Sequence, residues 1–274
     1  MRNLARKTAL VALTLFSLKA HAAFEELQIG VSSQAMGGTG VVATGLGSVM
    51  WNPAGISGGE YGEVGLESRL PFSKLDFATH GLDVSHPLGG SVMGAASLRY
   101  FGSDLYSEQV LALTAAALLS KDMSVGIQPL ICRAQIADGV GSYGSATTVA
   151  WNLGFQVRMY SRWMLAASVR NPFQARLGES SDYLQRRMDA GLSYEPQTGL
   201  CSRVTVSRDF GGTRVHVGQS LPLGPLSLMA GVQSNPTTAT GGLGVTVSGI
   251  RFEYAVQSHP ELDLTHQAGV TYGF

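Results

Sequence analysis

The sequence predicts an all-β protein, a transmembrane antiparallel β-barrel of about fourteen strands, with twelve as the alternative count. Three observations predict it. Residues 263–274 (DLTHQAGVTYGF) alternate by parity, with Leu264, His266, Ala268, Val270, Tyr272 and Phe274 on one face and mostly polar residues or glycine on the other. Charged residues are only 14% of the chain, against ~25% in soluble proteins. Finally, the segments between alternating runs are by turns short and long, as the two ends of a membrane barrel require.

Residues 1–22 read as a secretory signal peptide. Arg2, Arg6 and Lys7 supply its positive end, residues 9–16 its apolar core, and Ala20-His21-Ala22 the small-x-small form that precedes cleavage. The mature chain is then expected to start at Ala23 and to reach the bacterial outer membrane. Beyond this signal no apolar run approaches the ~18 residues of a spanning helix.

Residues 24–57 do not alternate. They are rich in Gly, Ala, Ser and Thr, yet carry Met36, Val41, Val42, Met50, Trp51 and Ile56, too apolar for a free leader. The glycines point to tight turns and close backbone packing. One helical turn is predicted at 48–51, ending at Asn52 because the residue before Pro53 avoids the α region. The chain thus divides into a signal (1–22), a plug or hatch inside the barrel (23–60) and the barrel itself (61–274).

The predicted strands are 62–70, 77–85, 91–100, 108–119, 123–135, 147–159, 162–170, 186–195, 200–208, 213–221, 226–233, 241–248, 250–257 and 264–274. The sixth is the clearest, with Val149, Trp151, Leu153, Phe155, Val157 and Met159 opposed by Thr148, Asn152, Gly154, Gln156 and Arg158. The fourth is apolar on both faces. The fifth contains Pro129, which marks a bulge or a lost ladder bond. Pro129 and the Gly-rich twelfth strand are the places where the wall could open sideways. Connections after even strands are short (86–90, 120–122, 160–162, 196–199, 222–225, 248–249). Several after odd strands are longer (137–146, 171–184, 234–240, 257–263), with 209–212 the exception.

Side-chain chemistry excludes several functions. Zero net charge removes the electrostatic case for nucleic acid. His80, His86, His216, His259 and His266 are scattered, so no catalytic Ser–His–acid set is expected and the protein is not read as an enzyme. Gly37-Gly38-Thr39-Gly40 lacks the lysine of a phosphate loop, and metal-ligand spacing is absent, so no metal or cofactor is expected. Cys132 and Cys201 fall on strands four apart and are expected as free thiols. The inward parity carries mixed charges (Glu63, Glu67, Arg69, Arg99, Arg158, Arg170, Asp189, Glu195, Arg203, Arg214, Arg251, Glu253), expected to form hydrogen bonds and ion pairs that hold the plug. Trp151, Tyr160, Trp163, Tyr194, Tyr254 and Tyr272 are candidates for interface girdles against outer-membrane lipid.

Met36-Gly37-Gly38 followed by Trp51-Asn52-Pro53-Ala54-Gly55, after a signal and ahead of a barrel ending in Phe274, resembles the N-terminal region of the FadL-like outer-membrane proteins. The pattern is most similar to the branch containing PorV and PorQ. The resemblance implies a fourteen-stranded barrel with an N-terminal hatch in its lumen. It implies transport of hydrophobic or amphipathic small molecules across the outer membrane. The alternative is a PorV-like structural or secretion-associated barrel that docks partner proteins. On either reading Met36, Gly37, Gly38, Met50, Trp51, Asn52, Pro53, Ala54 and Gly55 are the candidate ligand or hatch residues. Asn52 and Pro53 would set the hatch fold, and Met36, Met50 and Trp51 would line a path. Roughly 18 residues per strand and connection leave little room for long capture loops. The terminal strand ending in Phe274 is the expected signal to the barrel assembly machinery.

Overall fold

The structure is a computed structural model that describes residues 23–24, 28–59, 61–137, 141–178, 183–196 and 199–274. The expected signal peptide lies outside them. Fourteen antiparallel strands close a barrel in chain order, and β1 (Glu63–Leu70) seals it against β14 (Thr265–Gly273). The intervening strands are β2 (Thr79–Gly89), β3 (Val92–Gly102), β4 (Tyr106–Ser120), β5 (Met123–Ala137), β6 (Ser142–Met159) and β7 (Trp163–Arg170). Then follow β8 (Arg187–Tyr194), β9 (Cys201–Asp209), β10 (Gly212–Leu223), β11 (Leu226–Gln233), β12 (Thr238–Val247) and β13 (Ile250–Gln257). The count is therefore fourteen rather than twelve.

Closure satisfies every edge, which an open sheet in hydrocarbon could not do. Parity then sorts the side chains. Leu66, Leu98, Leu113, Val149, Leu165, Val206, Leu228 and Phe252 all face outward and are exposed, giving apolar surface around the circumference. Such a surface matches hydrocarbon, not water. No helix among the described residues is long and apolar enough to cross a membrane.

Some boundaries differ from the sequence expectation. The long connection expected at 137–146 shrinks to 138–141, because β5 and β6 run to 15 and 18 residues and pair nearly to their ends. The 234–240 connection shortens to 234–237, since Thr238–Val247 is one paired strand. The connections at 71–78, 171–186 and 258–264 do form the longer end of the barrel. Pro129 leaves no bulge. It sits opposite Trp151 in unbroken register with β6, while pairing with β4 lapses between Ala112↔Leu130 and Ala115↔Ile127 and resumes in the same register. The Gly-rich β12 pairs with β11 over 238–245 and with β13 over 240–247, so neither suspected opening is a gap in the closed wall.

The segment 28–59 is buried within the barrel's inner face. Its one α-helix, α1 (Val31–Ala35), packs against β11–β14, and a 3-10 turn at Gly40–Val42 against β7–β9. A second 3-10 turn, Leu46–Ser48, meets β1 and β2, and a third, Pro53–Gly58, meets β3–β6. This explains why the fourth predicted strand is apolar on both faces. Val110, Ala112 and Ala116 of β4 point inward onto Met50 and Ile56, while Leu111 and Leu113 point outward.

Candidate functional site

An irregular segment buried in a barrel carries backbone N–H and C=O groups that its own turns cannot all satisfy. Inward polar residues of the wall supply the partners. Gln156 donates from Nε2 to the carbonyls of Val41 (3.2 Å) and Ala43 (2.8 Å). Gln128 donates to the Val49 carbonyl at 2.9 Å, Ser168 to that of Trp51 at 3.1 Å, and Ser124 to that of Ala54 at 3.2 Å. Thr240 donates to the Ala35 carbonyl at 2.8 Å and accepts from the Gly37 N–H at 2.9 Å. Glu63 accepts from the Leu46 N–H at 2.9 Å. These six inward polar side chains thus serve as partners for the segment's backbone.

Asn52 is the local organiser. It is fully buried and extended (φ −151, ψ 108), as a residue before proline should be. Its Nδ2 donates to the carbonyls of Val41 (2.8 Å) and Phe155 (3.2 Å), and its Oδ1 accepts from the Ala54 N–H at 3.1 Å. One side chain thereby caps the following turn, closes the loop back to Val41 and ties both to the wall.

The two halves of the sequence motif each rest on a pair of facing wall glycines. Gly126 of β5 and Gly154 of β6 are register partners. A Cβ at Gly126 would lie 2.4 Å from the Ala54 nitrogen, and one at Gly154 would lie 2.0 Å from Asn52 Oδ1. Gly218 of β10 and Gly231 of β11 are likewise partners, and a Cβ there would lie 2.2 Å from the Met36 carbonyl oxygen and 2.3 Å from the Gly37 nitrogen. Only glycine permits these approaches. Gly37 and Gly38 themselves take positive φ (75° and 84°), so the MGG turn needs glycine for its own conformation as well.

The Gly37 carbonyl accepts from His216 Nδ1 at 2.6 Å, and His216 Nε2 accepts from the Ser207 hydroxyl at 2.9 Å. Ser207 is fully buried and His216 nearly so, which makes this pair a strut under the MGG turn. Sequence reading left His216 among scattered histidines, and only the β9–β10 register brings it to Ser207 and to a residue far ahead in the chain.

The segment lies between two cavities. One of about 450 Å³ opens at the end with the long connections. Phe72, Phe77 and Phe101 give it an apolar side, and Arg69, Arg187 and Arg214 a cationic one. Arg187 Nε donates to Asp189 at 2.8 Å, while its Nη2 has no partner among the described residues. Arg214 pairs with Asp209 at 2.8 Å. The other cavity, of about 580 Å³, lies at the short-turn end and is polar, with Glu63, Glu67, Glu195, Glu253, Arg203 and Arg251 on its walls.

The three side chains expected to line one path are separated. Trp51 faces the cavity at the long-connection end and Met36 the polar cavity. Met50 faces a small third cavity beneath the β7–β8 connection, beside Phe24 and Leu184. The phenylalanine rim of the cavity at the long-connection end lies outside the motif. Phe72 and Phe77 sit in the first connection, whose Gly-free, proline-led sequence gave no functional signal.

Of the inward charges, Arg99 pairs with Asp83 at 2.8 Å and Asp189 with Arg187, whereas Arg158 is exposed at a strand end. Among the described residues no group of three or more His, Cys, Asp or Glu could hold a metal. Cys132 and Cys201 are buried and free. Of the girdle candidates, Trp163 and Tyr194 meet in a tilted pair with ring centroids 4.4 Å apart, Tyr160 is 92% exposed, and Tyr272 stacks on Phe274.

No family model matches the chain, and no curated protein does. Solved structures do. The toluene transporter TbuX of Ralstonia pickettii superposes with a TM-score of 0.68 at 12% identity, covering 91% of this chain and 99% of that one. The monoaromatic hydrocarbon channel CymD gives 0.70 at 14% identity, covering 92% and 99%. A Pseudomonas aeruginosa FadL homologue gives 0.63 at 10% identity, covering 90% and 98%. At these identities the likeness is one of fold, and this chain has the closed barrel of the FadL-like channels.

Proposed function

We propose that the protein is a bacterial outer-membrane barrel that transports hydrophobic or amphipathic small molecules, with residues 23–60 as its hatch. The observation that carries this is the arrangement at the long-connection end. A cavity with aromatic and guanidinium sides is floored by Trp51 and Gly38, in a segment bound to the wall by side-chain hydrogen bonds instead of strand pairing. A floor held in that way can move while the fourteen strands stay paired. The aromatic side suits an apolar body, and Arg187 Nη2 suits a carbonyl or anionic end. The fold neighbours described as toluene transporters and hydrocarbon channels support the same reading. The outward apolar surface would meet outer-membrane lipid, and the strand ending in Phe274 would engage the assembly machinery. No residue is assigned a catalytic role, since Ser207 is sealed from both cavities.

Liposomes carrying the purified protein and assayed with radiolabelled toluene and a medium-chain fatty acid test the proposal. Uptake above that of empty vesicles, altered when Phe77 and Phe101 are replaced by Asp, is expected. Uptake no faster than in empty vesicles overturns it. In that case stable copurifying proteins would favour the secretion-associated reading, which the MGG…WNPAG motif also supports.

A further inference from the structure

Ala23 and Phe24 lie inside the barrel beneath the β7–β8 connection, Ala23 partly buried and Phe24 fully. Phe24 is 4% exposed and packs in the cluster that contains Met50, Val110, Cys132 and Leu184, and Ala23 packs against the same cluster. Ala175, Leu177 and Leu184 of the β7–β8 connection join it from above. Asn171 fixes that cover, donating from Nδ2 to the Leu184 carbonyl at 2.7 Å and accepting from the Ala175 N–H at 2.9 Å.

A carboxylate sits in these apolar surroundings. Glu108 of β4 is 5% exposed. Its Oε1 accepts from the Tyr106 hydroxyl at 2.7 Å, and its Oε2 accepts from the Phe24 main-chain N–H at 3.0 Å. Adjacent Cα atoms are ~3.8 Å apart, so the main-chain nitrogen of Ala23 lies within one residue of that carboxylate. The small-x-small form of Ala20-His21-Ala22 predicts signal cleavage after Ala22. Cleavage there turns the Ala23 nitrogen from a neutral amide into an ammonium that is protonated at neutral pH. A buried carboxylate is stabilised by an opposite charge placed beside it.

We propose that Glu108 is the docking site for the α-ammonium of Ala23, so that removal of the signal peptide itself creates the ion pair that seats the N-terminus under the β7–β8 connection. A chain that keeps residue 22 presents an uncharged amide at the same place. The site is independent of what the barrel transports.

The test uses the mature protein extracted from outer membranes, with its first residue identified by intact mass. An amine-acylating reagent is applied near neutral pH to native and to urea-unfolded protein, and peptide mass spectrometry reads each site. Lys121, whose side chain is 92% exposed, is the internal reference. The expected result is that the Ala23 amine reacts roughly tenfold or more slowly in the native protein than in the unfolded one, while Lys121 does not change. Glu108→Gln should abolish that protection with the barrel still heat-modifiable on gels, and Glu108→Asp should retain it. If Glu108→Gln does not fold, the wild-type comparison decides alone. Native labelling of Ala23 at its unfolded rate, unchanged protection in folded Glu108→Gln, or a mature chain that begins elsewhere would each overturn the proposal.

Discussion

Replacing Asn52 by Ala removes one side chain and the three hydrogen bonds it makes. The carbonyls of Val41 and Phe155 lose a donor, and the Ala54 N–H loses its acceptor. A buried group left without its partner costs about 1–3 kcal/mol. The Val41 carbonyl keeps its bond from Gln156, and the Phe155 contact is the longest of the three and belongs to a strand residue, so both losses should sit at or below the low end. The sum is then about 3 kcal/mol against the seated state of the segment, or roughly a hundredfold rise in the population of its detached form. The barrel should not share the loss, because its inter-strand bonds do not pass through Asn52. Hydrogen exchange in detergent or nanodiscs separates the two. Amides of 40–57 should exchange roughly a hundredfold faster in Asn52→Ala, and those of β9–β13 at the wild-type rate. Equal protection of 40–57 in both proteins would refute the view that Asn52 holds the segment. Uniform loss across the strands would refute the view that segment and wall are energetically separable.

Other consequences follow from the same geometry. Gly154→Ala places a methyl 2.0 Å from Asn52 Oδ1 and 2.8 Å from the Ala54 nitrogen, so it should destabilise the seated segment by about 1–3 kcal/mol, read by the same exchange experiment. Arg99→Ala leaves Asp83, 3% exposed, without its 2.8 Å partner and should cost about 3–5 kcal/mol, seen as a lower midpoint for loss of the folded band on heating. Deleting Phe274 removes the reciprocal main-chain bonds with Gly62 (2.8 and 3.2 Å) at the β1–β14 seam, together with the ring stacked on His86. The membrane-inserted fraction should fall before any transport defect appears, and normal membrane levels would count against this.

Much of the wall was legible because period two is a local property. Val149, Leu153, Asp189, Val204 and His216 could each be assigned a face from their neighbours alone, and the structure places them there. Strand ends were less legible. β5 and β6 extend to Ala137 and back to Ser142 because they pair with one another, and the residues of 137–146 read in isolation look like a loop. The interior polar residues were visible, but not what they bind. Gln128 and Gln156 are ordinary strand residues until a carbonyl of the buried segment arrives opposite them. The facing glycine pairs carried a signal that could have been found, namely glycines at inward parity on adjacent strands. Their purpose depends on a segment far away in the chain.

The sequence by itself determined a closed, alternating wall of about fourteen strands and an apolar, glycine-rich segment that could not remain outside it, since hydrophobic periodicity and backbone freedom are set residue by residue. Tertiary structure alone decided where that segment goes. It sets the MGG turn on Gly218 and Gly231 and the NPAG turn on Gly126 and Gly154, and it sends Met36, Met50 and Trp51 to three different cavities. Those placements follow from steric fit and hydrogen bonds between residues about 70 to 200 positions apart, which no local pattern encodes.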